Sequence, residues 1–302
     1  MGILRLGYVE FRVNDIAQAV RHYTQVVGLK ETGRQDGKVY LKAWDEQEHH
    51  QLVLVEDPVP GLNHLAFRVE DPEDLVTFED RLERTDYRVQ RISAGEHYAM
   101  GEAIRFTAPS EQRIELYYDM QIVGNGLPLT NPGPFPDDLV GVHPPRLDHA
   151  LLTTPDTAAS LHFWRDVLGF RLTEQVVAPD GTPIAVWLER SHSPHDLALI
   201  PGNPGGLHHF AFWLDSWDEL GRAADVLARG GTKLDIGPTR HGISRGHTLY
   251  FFDPCGVRNE VFTGGYWADP RMEPITWTAD QLWTAISYWD RVERGGFVAS
   301  YT

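Results

Sequence analysis

Three residues with the chemistry of metal ligands fall in strand-like stretches: His149 in RLDHALLTT, His209 in GGLHHFAFWL and Glu260 in GVRNEVF. Two neutral imidazoles and one carboxylate can hold one face of Fe(II) and leave the other positions open for substrate and oxygen. The paired histidines force a choice, because neighbours on a strand point to opposite faces. His208 is in line with Phe210, Phe212 and Leu214, a face expected to pack against helices. His209 is in line with Ala211, whose small side chain leaves room beside it. His209 is therefore expected to be the ligand and His208 a supporting residue. Taken singly, a strand histidine is ordinarily a hydrogen-bonded core residue, and these three meet only if separate strands fold together. Glu260 alternates with Arg258 and Phe262, and a carboxylate on that inward face needs a nearby cation, which a metal supplies.

The elements that must position them recur along the chain. LRLGYVEFRV reads as a strand and NDIAQAVRHYTQVVGL as a helix that Asn14 or Asp15 can cap, with Ala17, Val20, Tyr23 and Val27 at helical spacing. KVYLKAW and HQLVLVED follow as strands. A second unit runs from LNHLAFRV through a helix around PEDLVTFEDRLERT to strands at AIRFTAP and QRIELYYD. The third has RLDHALLTT, the helix DTAASLHFWRDVLGF with Leu161, Trp164 and Leu168 as its apolar stripe, then AVWLERS and DLALIPG. The fourth has LHHFAFWL, the helix SWDELGRAADVLARG with a C-cap at Gly230 and Gly231, then TLYFFDP and RNEVFTG. QIVGNGLPLTNPGPFPDDLVGVHPP is a linker by composition. The tail TADQLWTAISYWDRVER reads as a helix that packs back on the second half.

Laid over each other, the halves put His64 on His209 and Glu115 on Glu260, but Tyr8 on His149. The first half thus keeps two of three ligand types and is expected to be a metal-free scaffold. The expected organisation is an N-terminal unit over 1–125, a linker over 126–145 and a catalytic unit with its helical tail over 146–302.

Bulk properties narrow the field. A formal charge of −16 argues against a nucleic-acid partner, which needs clustered Lys and Arg. One cysteine, Cys255, excludes an internal disulfide and a cysteine-based metal site. Apolar and charged fractions of 42% and 23% are those of a globular protein. No apolar run approaches the roughly 20 residues of a membrane span. The start enters strand-like sequence without a basic leader, so the expected location is cytoplasmic.

In order along the chain, RLDHALL, HDLALI, GLHHFAFWL, DIGPTRHGISRG and LYFFDPCGVRNEVF resemble the motifs of type I extradiol dioxygenases of the vicinal oxygen chelate superfamily, most of all catechol 2,3-dioxygenases. The resemblance spans nearly the whole chain and is strongest from Arg146 onward. It implies an α+β fold of two tandem domains, each of paired βαβββ modules forming an open barrel, with the metal in the second. It implies Fe(II), with Mn(II) accepted by the same ligands, and an aromatic diol and O2 as substrates. It also implies a homo-oligomer, commonly a homotetramer.

By the same resemblance His195 is the acid–base residue, and His241 and Tyr250 are donors to the bound diol. Trp187, Ile200, Ser244, Ile286 and Phe297 match positions that shape the ring pocket. Ile236 falls where relatives acting on arylacetates carry an arginine, which favours catechol or an alkylcatechol over an acidic diol. Ser244, where catechol enzymes usually carry Thr, is expected to widen the pocket slightly. Two readings from other classes share the fold: a glyoxalase-like lyase, with metal ligands from both modules and a second carboxylate, and a metal-free binding protein lacking the triad.

Overall fold

The computed structural model describes residues 2–302. The four repeats appear in order. The first comprises β1 (Ile3–Val13), α1 (Ile16–Arg21), β2 (Lys30–Gln35), β3 (Lys38–Lys42) and β4 (Leu52–Glu56). The second comprises β5 (Gly61–Val69), α2 (Glu73–Glu83), β6 (Gln90–Ile92), β7 (Ala103–Thr107) and β8 (Arg113–Tyr117). The third comprises β9 (Arg146–Thr154), α3 (Thr157–His162), β10 (Arg171–Val177), β11 (Pro183–Glu189) and β12 (Leu197–Pro201). The fourth comprises β13 (Leu207–Trp213), α4 (Trp217–Arg229), β14 (Lys233–Leu234), β15 (Thr239–Arg240), β16 (Gly246–Phe252) and β17 (Arg258–Gly264). Then come β18 (Ile275–Thr278), α5 (Leu282–Ile286) and α6 (Gly295–Ala299).

Each half is one mixed sheet. The first is ordered β2-β3-β4-β1-β5-β8-β7-β6, and the second follows the same scheme from β14 through β13 and β9 to β10, with β18 added at its edge and β15 on β16. In both, the first strands of the two modules pair antiparallel at the centre. This is the expected α+β arrangement of paired βαβββ modules. Residues 124–145 contain neither strand nor helix, in keeping with their Pro and Gly content.

Period-two alternation explains the layering. On β1, Val9 and Phe11 face a core shared by both halves, while Tyr8 faces the other way. On β9 and β12, Ala150, Leu152, Leu197 and Leu199 join that core, whereas Leu151, Ala198 and Ile200 line the opposite face. The shared core joins Phe11 to Phe210 and Phe67 to Phe170, each pair with ring centroids 5.5 Å apart. The Tyr23 hydroxyl crosses the junction to Asp253 at 3.1 Å. The outward face of the first sheet is filled by Tyr8, Tyr40, Met100, Tyr117 and Met120. That of the second is left open and becomes a cavity.

Local signals behave as chemistry dictates at three helix starts: Asp15, Asp156 and Ser216 accept the N–H of Gln18, Ala159 and Glu219. The long first and third helices differ from expectation, since α1 and α3 each loosen into a π-helical turn, at His22–Val27 and Phe163–Val167. At the end of α4 the left-handed residue is Gly231 (φ 74°), one place after Gly230. The tail is not one helix. It breaks at Ser287, which is extended, because the N–H groups of Gly242 and Ile243 take the Ala285 carbonyl and Tyr288 N–H bonds to Arg240. Among the described residues, no helix is long and apolar enough to cross a membrane.

Candidate metal centre and substrate cavity

The centre of the second sheet brings the three expected ligands together from adjacent strands. His149 on β9, His209 on β13 and Glu260 on β17 are all buried, at 1%, 2% and 1% exposure. Glu260 Oε2 lies 3.0 Å from Nε2 of both His149 and His209. Ligand bonds of about 2.1 Å at right angles would place ligand atoms about 3.0 Å apart, so this donor set fits a divalent metal. Around it, His149 Nδ1–H donates to Asp148 at 2.8 Å, which orients the ring with Nε2 toward the centre. Thr248 Oγ1 donates to Glu260 Oε1.

Burial opposes charge on His149, but Glu260 and Asp148 outweigh it and push His149 up to about 9. Burial holds His209 down to about 4. Burial also disfavours the Glu260 carboxylate, yet His149 and hydrogen bonds from His149, His209 and His241 keep it well below its usual range. Metal binding must therefore displace the His149 proton.

The cluster sits in a cavity of about 390 Å³. All five expected pocket residues, Trp187, Ile200, Ser244, Ile286 and Phe297, line it, with His195, His241 and Tyr250. Among the described residues that line it, none is Lys or Arg. Ile236 is buried against Tyr250, Ile286 and Phe297 and stands behind the wall. His195 packs on His149 with centroids 4.1 Å apart, and its buried Nδ1 has no protein partner. Burial, with His149 beside it, keeps His195 well below its ordinary value, so the ring is neutral.

His241 and Tyr250, both expected as donors to a bound diol, stand side by side in the cavity wall. His241 Nδ1 donates to the Ile286 carbonyl. Its Nε2 lies 3.0 Å from the Tyr250 hydroxyl and 3.7 Å from Glu260 Oε1. Burial, with Glu260 opposite, holds the Tyr250 hydroxyl protonated, well above its usual value.

The strand argument about His208 also needs correction. A register shift between Leu207 and His209 in the β13–β9 pairing breaks the alternation, so both histidines reach the cavity. His208 packs on Phe297 of α6, and its Nδ1 lies 2.7 Å from that of His209.

Sequence reasoning missed Asp148, Thr248 and Glu174. Glu174 accepts from Ser244 N–H, Tyr266 and Trp277, fixing the Ser244 loop. Its strand, β10, lacks a clean alternation. Thr248 was discernible, standing two residues before Tyr250 on one strand face.

The corresponding place in the first half is built from Tyr8, His64 and Glu115, as the overlay of the halves expected. Tyr8 donates to Glu115 at 2.7 Å, and His64 Nε2 is 2.9 Å from the Tyr8 oxygen. The cation there is Arg105, whose Nε donates to Glu115 at 2.6 Å. Arg105 is the cross-strand neighbour of Glu115, as Tyr250 is of Glu260. Burial disfavours charge on Glu115, but His64, His97 and Arg105 hold it well below its usual range.

Comparison with known proteins agrees with this geometry. Residues 146–261 match the glyoxalase/bleomycin resistance protein/dioxygenase superfamily, and residues 62–121 match the catechol 2,3-dioxygenase-like N-terminal domain. The chain belongs to that superfamily. A metapyrocatechase from Pseudomonas sp. (strain CF600) is 40% identical, over 100% of this chain and 99% of the relative. A manganese-dependent 2,3-dihydroxybiphenyl 1,2-dioxygenase from Geobacillus genomosp. 3 is 34% identical, over 97% and 96%. The solved 2,3-dioxygenase LapB from Pseudomonas sp. KL28 superposes with a TM-score of 0.90 at 40% identity, covering 93% of this chain and 99% of that one. Within the superfamily, the branch is that of the extradiol ring-cleaving dioxygenases.

Proposed function

We propose that this enzyme cleaves catechol or an alkylcatechol with O2 beside the diol, at Fe(II) held by His149, His209 and Glu260, to a 2-hydroxymuconic semialdehyde-type product. The observation that carries this reading is the close approach of three ligand atoms inside an apolar cavity with no cationic side chain in its wall. Fe(II) supplies a Lewis acid for the two diol oxygens and a path for electrons from the ring to O2. The chain supplies the rest. His195, held neutral by burial and packed on His149 in the cavity wall, is the group that takes a proton from the diol and hands it back to oxygen. The Tyr250 hydroxyl turns from His241 to donate to oxygen as negative charge develops. Trp187, Ile200 and Phe297 hold the ring flat and exclude water.

The absence of Lys and Arg from the lining supports a neutral substituent over an acidic one, which would need a bidentate cation. A glyoxalase-like lyase, which would carry a second carboxylate among its ligands, is disfavoured because Glu260 is the one carboxylate grouped with His149 and His209 among the described residues. The manganese-dependent relative keeps Mn(II) as the second reading for the metal. The same proposal includes a homotetramer, and the exposed Leu129, Phe135 and Val140 before β9 are apolar surface suited to contact between copies.

Oxygen uptake by metal-free protein reloaded with Fe(II) or Mn(II) tests metal and substrate together. Faster turnover of an alkylcatechol than of 3,4-dihydroxyphenylacetate, restored by Fe(II), supports the reading. Restoration by Mn(II) alone would transfer it to manganese. A preference for the acid would contradict the argument from the cavity wall.

A further inference from the structure

His208 takes no part in the chemistry above, yet it is 1% exposed and both its nitrogens are engaged. Nδ1 lies 2.7 Å from Nδ1 of His209, and Nε2 lies 2.7 Å from the carbonyl oxygen of Phe297. One requirement fixes the direction of both bonds. A metal held at Nε2 of His209 occupies that nitrogen's lone pair, so the ring keeps its proton on Nδ1. That N–H donates to His208 Nδ1, which is then bare. His208 carries its own proton on Nε2 and donates it to Phe297.

The opposite polarity has a different end. If His209 carries its proton on Nε2, toward Glu260, its bare Nδ1 must accept from His208. His208 Nε2 is then bare and faces the Phe297 carbonyl lone pair to lone pair. Arg258, whose Nη1 is 2.9 Å away, becomes the donor to that nitrogen. Two discrete arrangements of one network therefore favour, or disfavour, one backbone contact.

That contact belongs to the segment walling the cavity. Phe297, Val298, Ala299 and Tyr301 all line it. Thr302 closes the segment with two backbone bonds to Leu207, at 2.7 and 3.0 Å, immediately before His208. Arg258 also donates to the Ser300 carbonyl and to Asp235. The strap is thus fastened to the strand that carries the ligand.

We propose that His208 is a positioning residue that couples metal occupancy at His209 to docking of the C-terminal strap over the substrate cavity. This rests on the metal reading given above. Linkage requires that the metal favour the docked strap and the docked strap favour the metal by the same factor.

The test uses the full chain and Co(II), without substrate. Co(II) binding is first titrated on metal-free protein by absorbance. Tryptic cleavage after the exposed Arg294, which detaches the strap, is then timed with and without metal. In the wild type, Co(II) should slow cleavage by at least about fivefold. His208→Phe should abolish that protection and lower Co(II) affinity roughly 10- to 100-fold. His208→Asn keeps an acceptor for His209 Nδ1–H but is too short to reach Phe297. It should lose the protection while its affinity falls between the other two, and it carries the test if the Phe variant does not fold by circular dichroism. Cleavage of the wild type that ignores metal, or full protection in either variant, overturns the coupling while leaving the metal site intact. Failure of the wild type to bind Co(II) overturns the metal reading and the coupling with it.

Discussion

Glu260 and Glu115 occupy equivalent places in the two halves, and each needs a cation. At Glu115 the chain supplies it as Arg105, whereas at Glu260 it supplies two imidazoles that complete a donor face suited to a metal. Glu260→Ala should therefore strip bound metal, read by metal analysis after gel filtration. Glu115→Ala should keep the metal but destabilise the fold by on the order of 3 kcal/mol, read by urea unfolding, because His64, His97 and Arg105 lose their carboxylate. His195→Phe should retain metal and lower kcat by roughly 10²- to 10⁴-fold. Loss of metal in that variant would place His195 among the ligands. The residue types at the centre were legible because the chain repeats and the repeats could be overlaid. Arg105 was not, since its role depends on the register between β7 and β8, which alternation alone does not fix. The orientation of the His241 ring was likewise invisible, because it follows from a carbonyl in the tail, far along the chain.

Most elements announced themselves through alternation or an apolar stripe, and the exceptions have physical reasons. KETGRQ, QRI and RLTEQVV form β2, β6 and β10, but their polar residues hide the period. The π-helical turns at His22 and Phe163 escape a reading based on helical spacing, which does not separate one backbone hydrogen-bond pattern from the other. His22 opens the first of these turns, with a buried Nε2 that has no partner. Burial lowers it to about 4 from an ordinary 6.5. The folded ring stays neutral while the unfolded one takes a proton below pH 6.5. Stability from this group is therefore complete above pH 6.5 and lost as pH falls toward 4, by on the order of 3 kcal/mol. Urea unfolding of wild type and His22→Phe at pH 7 and 4.5 checks the sign: the wild type should lose more on acidification than the variant.

At the scale of the molecule, the sequence divides into halves but the packing does not. Phe11, Phe67, Phe170 and Phe210 belong to one continuous core between the sheets, and Tyr23 is tied to Asp253 across it. The full chain should accordingly unfold in a single calorimetric transition, and two resolved transitions would contradict that account. Such a core could not be read from 1–125 and 146–302 separately, because which sheet face turns inward depends on both. Duplication also explains why one half is filled and the other open. Tyr8, Tyr40, Met100 and Met120 occupy in the first sheet the side that the second keeps for a ring-shaped ligand. The most direct test of the central claim is aerobic turnover of catechol by Fe(II)-loaded protein, followed by visible absorbance and product mass. The account predicts a yellow semialdehyde from cleavage beside the diol, dependent on both O2 and metal. A colourless diacid from cleavage between the hydroxyls, or turnover that survives metal removal, would contradict it.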